Sequence, residues 1–132
     1  MARNTSRPLS PHLTIWRWGP HMLVSILHRV TGMAVTIAGL ALLTWWLLAL
    51  SGSSGGYGDF SAAASHPIGL LVLIGLSWAF FQHMLSGLRH LVMDIGAGYE
   101  LNTNKFWANM TMVGAVVLTA SLWAWIILGR GA

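Results

Sequence analysis

Three long apolar runs set the plan of the chain, at roughly 22–50, 67–95 and 106–128, each at or above the ~20 residues an α-helix needs to cross a hydrocarbon core. The first is longer than a crossing requires, which suits a tilted helix or one that projects from the bilayer. Ser51–Ser65 separates the first two runs, is rich in Gly and Ser, and carries Tyr57, Asp59 and Phe60 but no Lys or Arg; it reads as a loop outside the membrane. His66 reads as exposed, and Pro67 stands where a first helical turn accepts proline. The second run ends at Gly96 and Gly98, and Tyr99–Lys105 reads as a short polar turn. The third has Trp107 near one end, Trp123 and Trp125 near the other, no ionisable group, and Gly114 and Ala115 as helix contact points. Ahead of all three, residues 1–21 are polar and interrupted by Pro8, Pro11 and Pro20, with Arg3, Arg7 and Arg17 and the aromatic Trp16 and Trp18; they read as a cytoplasmic or interfacial leader. A secretory signal is disfavoured, because the apolar run is too long for its core and no small-residue cleavage pattern follows.

Two places break the apolar pattern. In the second run, His83, Gly87, His90 and Asp94 fall within a sector of about 60° on a helix, so one stripe holds two imidazoles, a carboxylate and a gap with no side chain, while Arg89 points off it. His83 lies about 16 Å above Asp94 at ~1.5 Å per residue, near the midplane of a core about 30 Å thick. An imidazole there needs a partner. Iron bound at one nitrogen, with the other N–H hydrogen-bonded, would satisfy it, and b-type haem is the usual iron carrier in helical bundles, with Gly87 leaving room for the porphyrin edge. An interhelical hydrogen bond to a Ser, Thr or carbonyl would satisfy it equally, and spacing does not choose between them.

The second place is the start of the first run, where Ser25, His28, Arg29 and Gly32 share a sector of about 100°. Singly, Arg29 would snorkel to phosphate and Ser25 would bond to its own helix carbonyl. Together they favour a binding face: His28 and Arg29 toward haem propionates, and Ser25 toward a small apolar ligand with polar carbonyls such as a quinone, with Asp94 supplying protons from the inner end of the second helix. Asp94 is slightly unfavourable against the helix dipole, which leans toward a functional role.

Composition narrows the picture. The 132 residues are 55% hydrophobic and 8% charged, with fifteen Gly and eight Trp, which is membrane composition and excludes a water-soluble domain. The net charge of +4 comes from dispersed basic residues and forms no nucleic-acid patch, so no nucleic acid is expected as a partner. Without cysteine there is no disulfide, no thiolate-bound cluster and no covalent haem, so a redox group would have to be held by histidine. With a cytoplasmic N-terminus, Arg3, Arg7, Arg17, Arg29, Arg89 and Lys105 lie inside and only Arg130 outside, the expected positive-inside bias.

Three blocks carry a resemblance. Arg7-Pro8-Leu9-Ser10-Pro11-His12-Leu13, Ser25-Ile26-Leu27-His28-Arg29-Val30-Thr31-Gly32, and His83-x₃-Gly87-x-Arg89-His90-x₃-Asp94 resemble the cytochrome b membrane-anchor subunits of succinate dehydrogenase (succinate:quinone oxidoreductase), of the bacterial and mitochondrial type. Trp16 departs from the Tyr that often follows the leader, an aromatic-for-aromatic change. The resemblance implies an all-α integral membrane protein with three transmembrane helices, part of a heteromeric bundle in the bacterial inner membrane. It implies that His83 is one axial ligand of haem b, shared with a second small anchor subunit. His28 and Arg29 would contact the propionates, His90 would lie near the haem edge, Ser25 and Arg29 would line the quinone site, and Asp94 would help protonate the quinone. It further implies that FAD and iron–sulfur clusters reside in partner subunits only, so this chain serves the enzyme without oxidising succinate itself. Three rival readings remain: an anchor for the reverse reaction, fumarate reduction by quinol; a haem-free subunit in which His83, His90 and Asp94 relay protons; and a purely structural tether.

Overall fold

A computed structural model describes residues 17–52 and 56–129. The leader block around Arg7, with Trp16, lies outside the described residues, as does Arg130. Helix α1 (Pro20–Ala34) opens with Pro20 in its first turn, passes through a π-helical turn at Val35–Gly39, and continues as α2 (Leu40–Ser51), so that Pro20–Ser51 forms one span. A π turn inserts an extra residue into the helix and rotates everything beyond it, which lets the N-terminal and C-terminal halves of this span present different faces to the bundle. The second span is α4 (Pro67–Asp94) and the third α5 (Leu101–Gly129); all three are long and apolar enough to cross a membrane.

Part of the connector is helical. Gly56–Ser65 forms α3, a short helix packed against both α2 and the start of α4, where a loop is expected from the Gly and Ser content. The run Ala62-Ala63-Ala64 supplies helix propensity, and Phe60 packs edge-on against Trp45 with ring centroids 5.1 Å apart, so local preference and an apolar contact outweigh the flanking glycines. The chain then turns tightly at His66, which caps α4 by accepting a hydrogen bond from the Ile68 N–H at 3.3 Å. At Gly69 the α3 backbone comes so close that a Cβ would collide with the Ala63 carbonyl. Helix α4 stops at two glycines with positive φ, Gly96 at 87° and Gly98 at 79°, as expected for residues that leave a helix through the left-handed region. Residues 101–105, read above as part of a polar turn, already belong to α5, whose start is tied back to α4 by Arg89 donating to the side-chain Oδ1 of Asn104 at 2.7 Å.

The helices meet mostly through small residues, with Gln82 the largest side chain buried between them. Val24 and Thr31 on α1, Ala79, Gln82 and Ser86 on α4, and Ala108, Thr111, Ala115 and Thr119 on α5 are buried positions that bring the three spans together, whereas many of the large aliphatic and aromatic side chains face outward. In lipid there is no hydrophobic drive between helices, so close backbone approach and dispersion do the work. Gly114 is one such approach, with Leu85 Cδ1 lying 2.9 Å from where its Cβ would stand.

Candidate functional site

Where α1 meets the C-terminal half of α4 lies a cluster of imidazoles. Helices α1 and α4 run in opposite directions, so His28 falls opposite Ser86 and Gly87, and Gly32 opposite His83. The rings of His28 and His83 are stacked, 4.0 Å apart and 5° from parallel, and His90 meets His28 edge-on at 5.1 Å. His83 Nδ1 lies 3.0 Å from the carbonyl oxygen of His28. A carbonyl only accepts, so Nδ1 carries the hydrogen and Nε2 keeps its lone pair. The Ser86 hydroxyl lies 2.7 Å from the Gln82 carbonyl and 2.7 Å from His28 Nδ1. With one hydroxyl hydrogen to give, it donates to Gln82 and accepts from His28 Nδ1–H, which leaves Nε2 of His28 free as well. Both tautomers are therefore set by groups that are themselves held on helix backbones.

Space for this cluster comes from Gly32 and not from Gly87. A Cβ on Gly32 would stand 2.8 Å from His83 Cε1, so the ring fills the place of the missing side chain. Over Gly87 the expected gap is taken by His28, whose Cε1 lies 3.6 Å from a Cβ built there. The stripe His83, Gly87, His90 therefore exists as expected, but it is covered by the first helix and does not stand open.

The other expected residues separate from this cluster. Val24 and Thr31 form the line along which α1 packs, which turns Arg29 outward to an exposed position and leaves Ser25 half-buried at the edge. Ser25 makes no bond back to its own helix among the described residues; Thr31 does so instead, donating to the Leu27 carbonyl at 2.6 Å. Asp94 is the last residue of α4, exposed, with no hydrogen bond to the histidines. Ser86 was not singled out from the sequence, although a hydroxyl three residues beyond His83, on the face toward α1, was the available signal. Gln82 is fully buried, and among the described residues neither its amide nitrogen nor its amide oxygen has a partner.

The donor set suits a porphyrin better than a bare ion. Among the described residues no three His, Cys, Asp or Glu side chains come together to hold a metal. An imidazole accepts a metal in its own plane, at the nitrogen lone pair, whereas His28 covers the face of His83, so stacking and ligation at Nε2 do not compete.

The family model for "Succinate dehydrogenase/Fumarate reductase transmembrane subunit" matches residues 3–122. The chain belongs to that family. The match takes in all three blocks on which the resemblance rests, including the leader block that the structure does not describe. The chain is 39% identical over 113 residues to the succinate dehydrogenase cytochrome b556 subunit of Paracoccus denitrificans, covering 86% of each chain. It is 38% identical over 117 residues to the b556 subunit of Rickettsia felis, covering 89% of this chain and 90% of that one. It is 34% identical over 116 residues to the mitochondrial cytochrome b560 subunit of Sus scrofa, covering 86% of this chain and 64% of that one. A multi-pass membrane subunit of an oxidoreductase complex is thus what the three apolar helices and the family together describe.

Proposed function

We propose that this transmembrane subunit holds haem b through His83 Nε2, with the second axial ligand supplied by another small anchor subunit, and that it builds part of a quinone-reducing site. The observation that carries the reading is the hydrogen bond from His83 Nδ1 to the His28 carbonyl, because it orients the ring and leaves the remaining nitrogen free for iron. Haem b, when bound, would supply a one-electron station within the membrane. His28 and His90, whose rings gather beside His83, would stand at the haem edge, and Arg29 would pair with propionates from its outward position on α1.

Ser25, one turn nearer the start of α1 than Arg29, has a hydroxyl that is not spent on its own helix, so it is available to hydrogen-bond a quinone carbonyl. Arg29 would stabilise the negative charge that builds on that oxygen as electrons arrive. Asp94, exposed at the same end of the bundle, would exchange protons with water, two of which are consumed as a quinone accepts two electrons and becomes a quinol. In this reading a flavoprotein subunit with FAD removes the electrons from succinate, an iron–sulfur subunit passes them on, and both dock at the end of the bundle that carries Arg17, Arg29, Arg89 and Lys105. That end faces the cytoplasm of a bacterium, by the positive-inside bias.

The test is the visible spectrum of the whole membrane complex, wild type beside His83→Ala. Loss of the low-spin b-type bands in the variant is expected; an unchanged spectrum would assign the iron to other side chains. For Ser25→Ala and Arg29→Ala, quinone reduction is expected to slow by about tenfold or more while succinate oxidation with a soluble artificial acceptor persists. Equal loss of both activities would remove these residues from the quinone site.

A further inference from the structure

The α1 stripe that carries Ser25, His28 and Gly32 begins one turn earlier, at His21. The four positions share a sector of about 60° on the helix. Their spacing of four, three and four residues, counted back from Gly32, is also the spacing of His83, Gly87, His90 and Asp94 on α4. Because the helices are antiparallel, the pairing of Gly32 with His83 and of His28 with Gly87 continues in register to Ser25 with His90 and to His21 with Asp94. His21 thus stands at the mouth of the stripe, half-buried, about 6 Å along the axis from Ser25. Its ring folds back over the start of the helix, where a Cβ on Gly19 would stand 2.7 Å from His21 Cε1 and 3.0 Å from Nδ1. Nδ1 is buried there with no partner among the described residues, whereas Nε2 is not sealed in this way. Any hydrogen on Nδ1 is out of reach of water, so proton exchange on this ring is confined to Nε2.

We propose, resting on the quinone reading of Ser25, that His21 is the residue that hands protons to the bound quinone. A solvated carboxylate such as that of Asp94 exchanges protons quickly with water but carries few of them near neutral pH, whereas imidazole is the side chain matched to give and take a proton there. Nε2 takes a proton from water at the mouth, which Asp94 keeps exchanging. The N–H bond so formed breaks as an O–H bond forms on a carbonyl oxygen of the quinone, and the ring returns to its neutral form for the next transfer. Two such transfers, with two electrons from the iron–sulfur subunit, make the quinol. One helix turn separates His21 from Ser25, a span that a single water covers and that general acid catalysis allows. The charged and titratable groups around the ring are Arg17 and Arg29 on its own segment, Arg89 and Asp94 on α4, and Tyr99, Glu100 and Lys105 leading into α5. His28 and His90 are engaged with each other, edge-on at 5.1 Å, which leaves His21 as the imidazole at the mouth.

The experiment uses the intact membrane complex and takes quinone reduction as a ratio to succinate oxidation with a soluble artificial acceptor in the same preparation, so that incomplete assembly of a variant cancels. His21→Phe keeps a ring over Gly19 and removes Nε2. Its kcat for quinone reduction is expected to fall about tenfold or more, with KM for quinone changed by less than about twofold. The decline in quinone reduction that the wild type shows as pH rises is expected to be absent from this variant. In His21→Ala, free imidazole in the buffer is expected to restore quinone reduction in proportion to its protonated fraction, a dependence that a mere filling of space would not show. A His21→Phe complex with the wild-type kcat and pH profile overturns the proposal, and overturns it alone if Ser25→Ala is still slow. If Ser25→Ala is as fast as the wild type as well, the quinone reading of this face falls and the role of His21 with it.

Discussion

The two faces of α4 satisfy their polar groups with different chemistry. Against α5, hydroxyls donate to their own helix, Thr111 to the Ala108 carbonyl at 2.8 Å, Thr119 to the Ala115 carbonyl at 2.7 Å and Ser77 to the Leu73 carbonyl at 2.7 Å, and the cross-helix bonds come from Trp123 to Ser77 and from Arg89 to Asn104. Against α1, imidazoles are satisfied across the contact, through His28 to Ser86 and His83 to the His28 backbone. A hydroxyl bonded to its own helix needs no partner and can sit at any small-residue contact. An imidazole has two nitrogens, so a cross-helix bond uses one and leaves the other for a ligand. The α4–α5 contact therefore joins packing to bonds whose donors, an indole and a guanidinium, keep no lone pair for a ligand, and the α1–α4 contact is packing with a nitrogen to spare.

That contrast can be broken most forcefully at the glycines. Gly32→Ala puts a methyl 2.8 Å from His83 Cε1, so the ring or the α1 backbone must move. We expect a shifted or diminished b-type spectrum and a loss of about 1–3 kcal/mol in thermal stability of the complex. Gly114→Ala also makes a short contact, 2.9 Å, but with the flexible end of Leu85. It is expected to lower stability by less than about 1.5 kcal/mol and to leave the spectrum untouched. If both substitutions changed the spectrum alike, the distinction between the two faces would be lost.

Next in size is Ser86→Ala, which leaves His28 Nδ1–H without its acceptor in a part-buried site. A cost of about 1–2 kcal/mol is expected, together with a spectral change smaller than that of Gly32→Ala, because His83 keeps its own carbonyl bond. Thermal unfolding followed by absorbance at the haem bands reads both quantities at once. Gln82→Met tests a fully buried amide that has no partner among the described residues, and here the expected sign is reversed. An unbranched apolar side chain removes the desolvation cost of an unpaired amide and should raise stability by about 1 kcal/mol. A fall would mean that the amide is paired within the assembled complex. Smallest of all, Thr119→Val removes a hydroxyl that only bonds its own helix, and should change stability by no more than about 0.5 kcal/mol, with no effect on the spectrum or on quinone reduction.

Much of this was legible in one dimension because a bilayer leaves few choices. Length and apolarity specify three spans, Pro67 and Gly96 mark where the second begins and ends, and a histidine near the midplane stands out as a group in need of a partner. The connector was harder to read. Glycine and serine argued for a loop at 56–65, but three consecutive alanines and the contact of Phe60 with Trp45 decided for a helix, and only the neighbouring span could supply that contact.

Within the site, the residue types Ser25, His28, Arg29, His83, His90 and Asp94 could be picked out by helical spacing alone, since side chains that share a sector share a face. Their division into a covered cluster and an exposed edge could not. Spacing describes a single helix, whereas burial depends on which line of α1 lies against α4, and that line runs through Val24 and Thr31. Tertiary packing likewise decided that His28 covers Gly87, that Gly32 makes room for His83, and that a backbone carbonyl of one helix fixes the tautomer of a ring on another. The order of residues determined that this chain crosses a membrane and carries imidazoles into it. Which nitrogen of each ring stays free follows from distances between helices, because a hydrogen bond reaches about 3 Å and no sequence pattern specifies a separation that short.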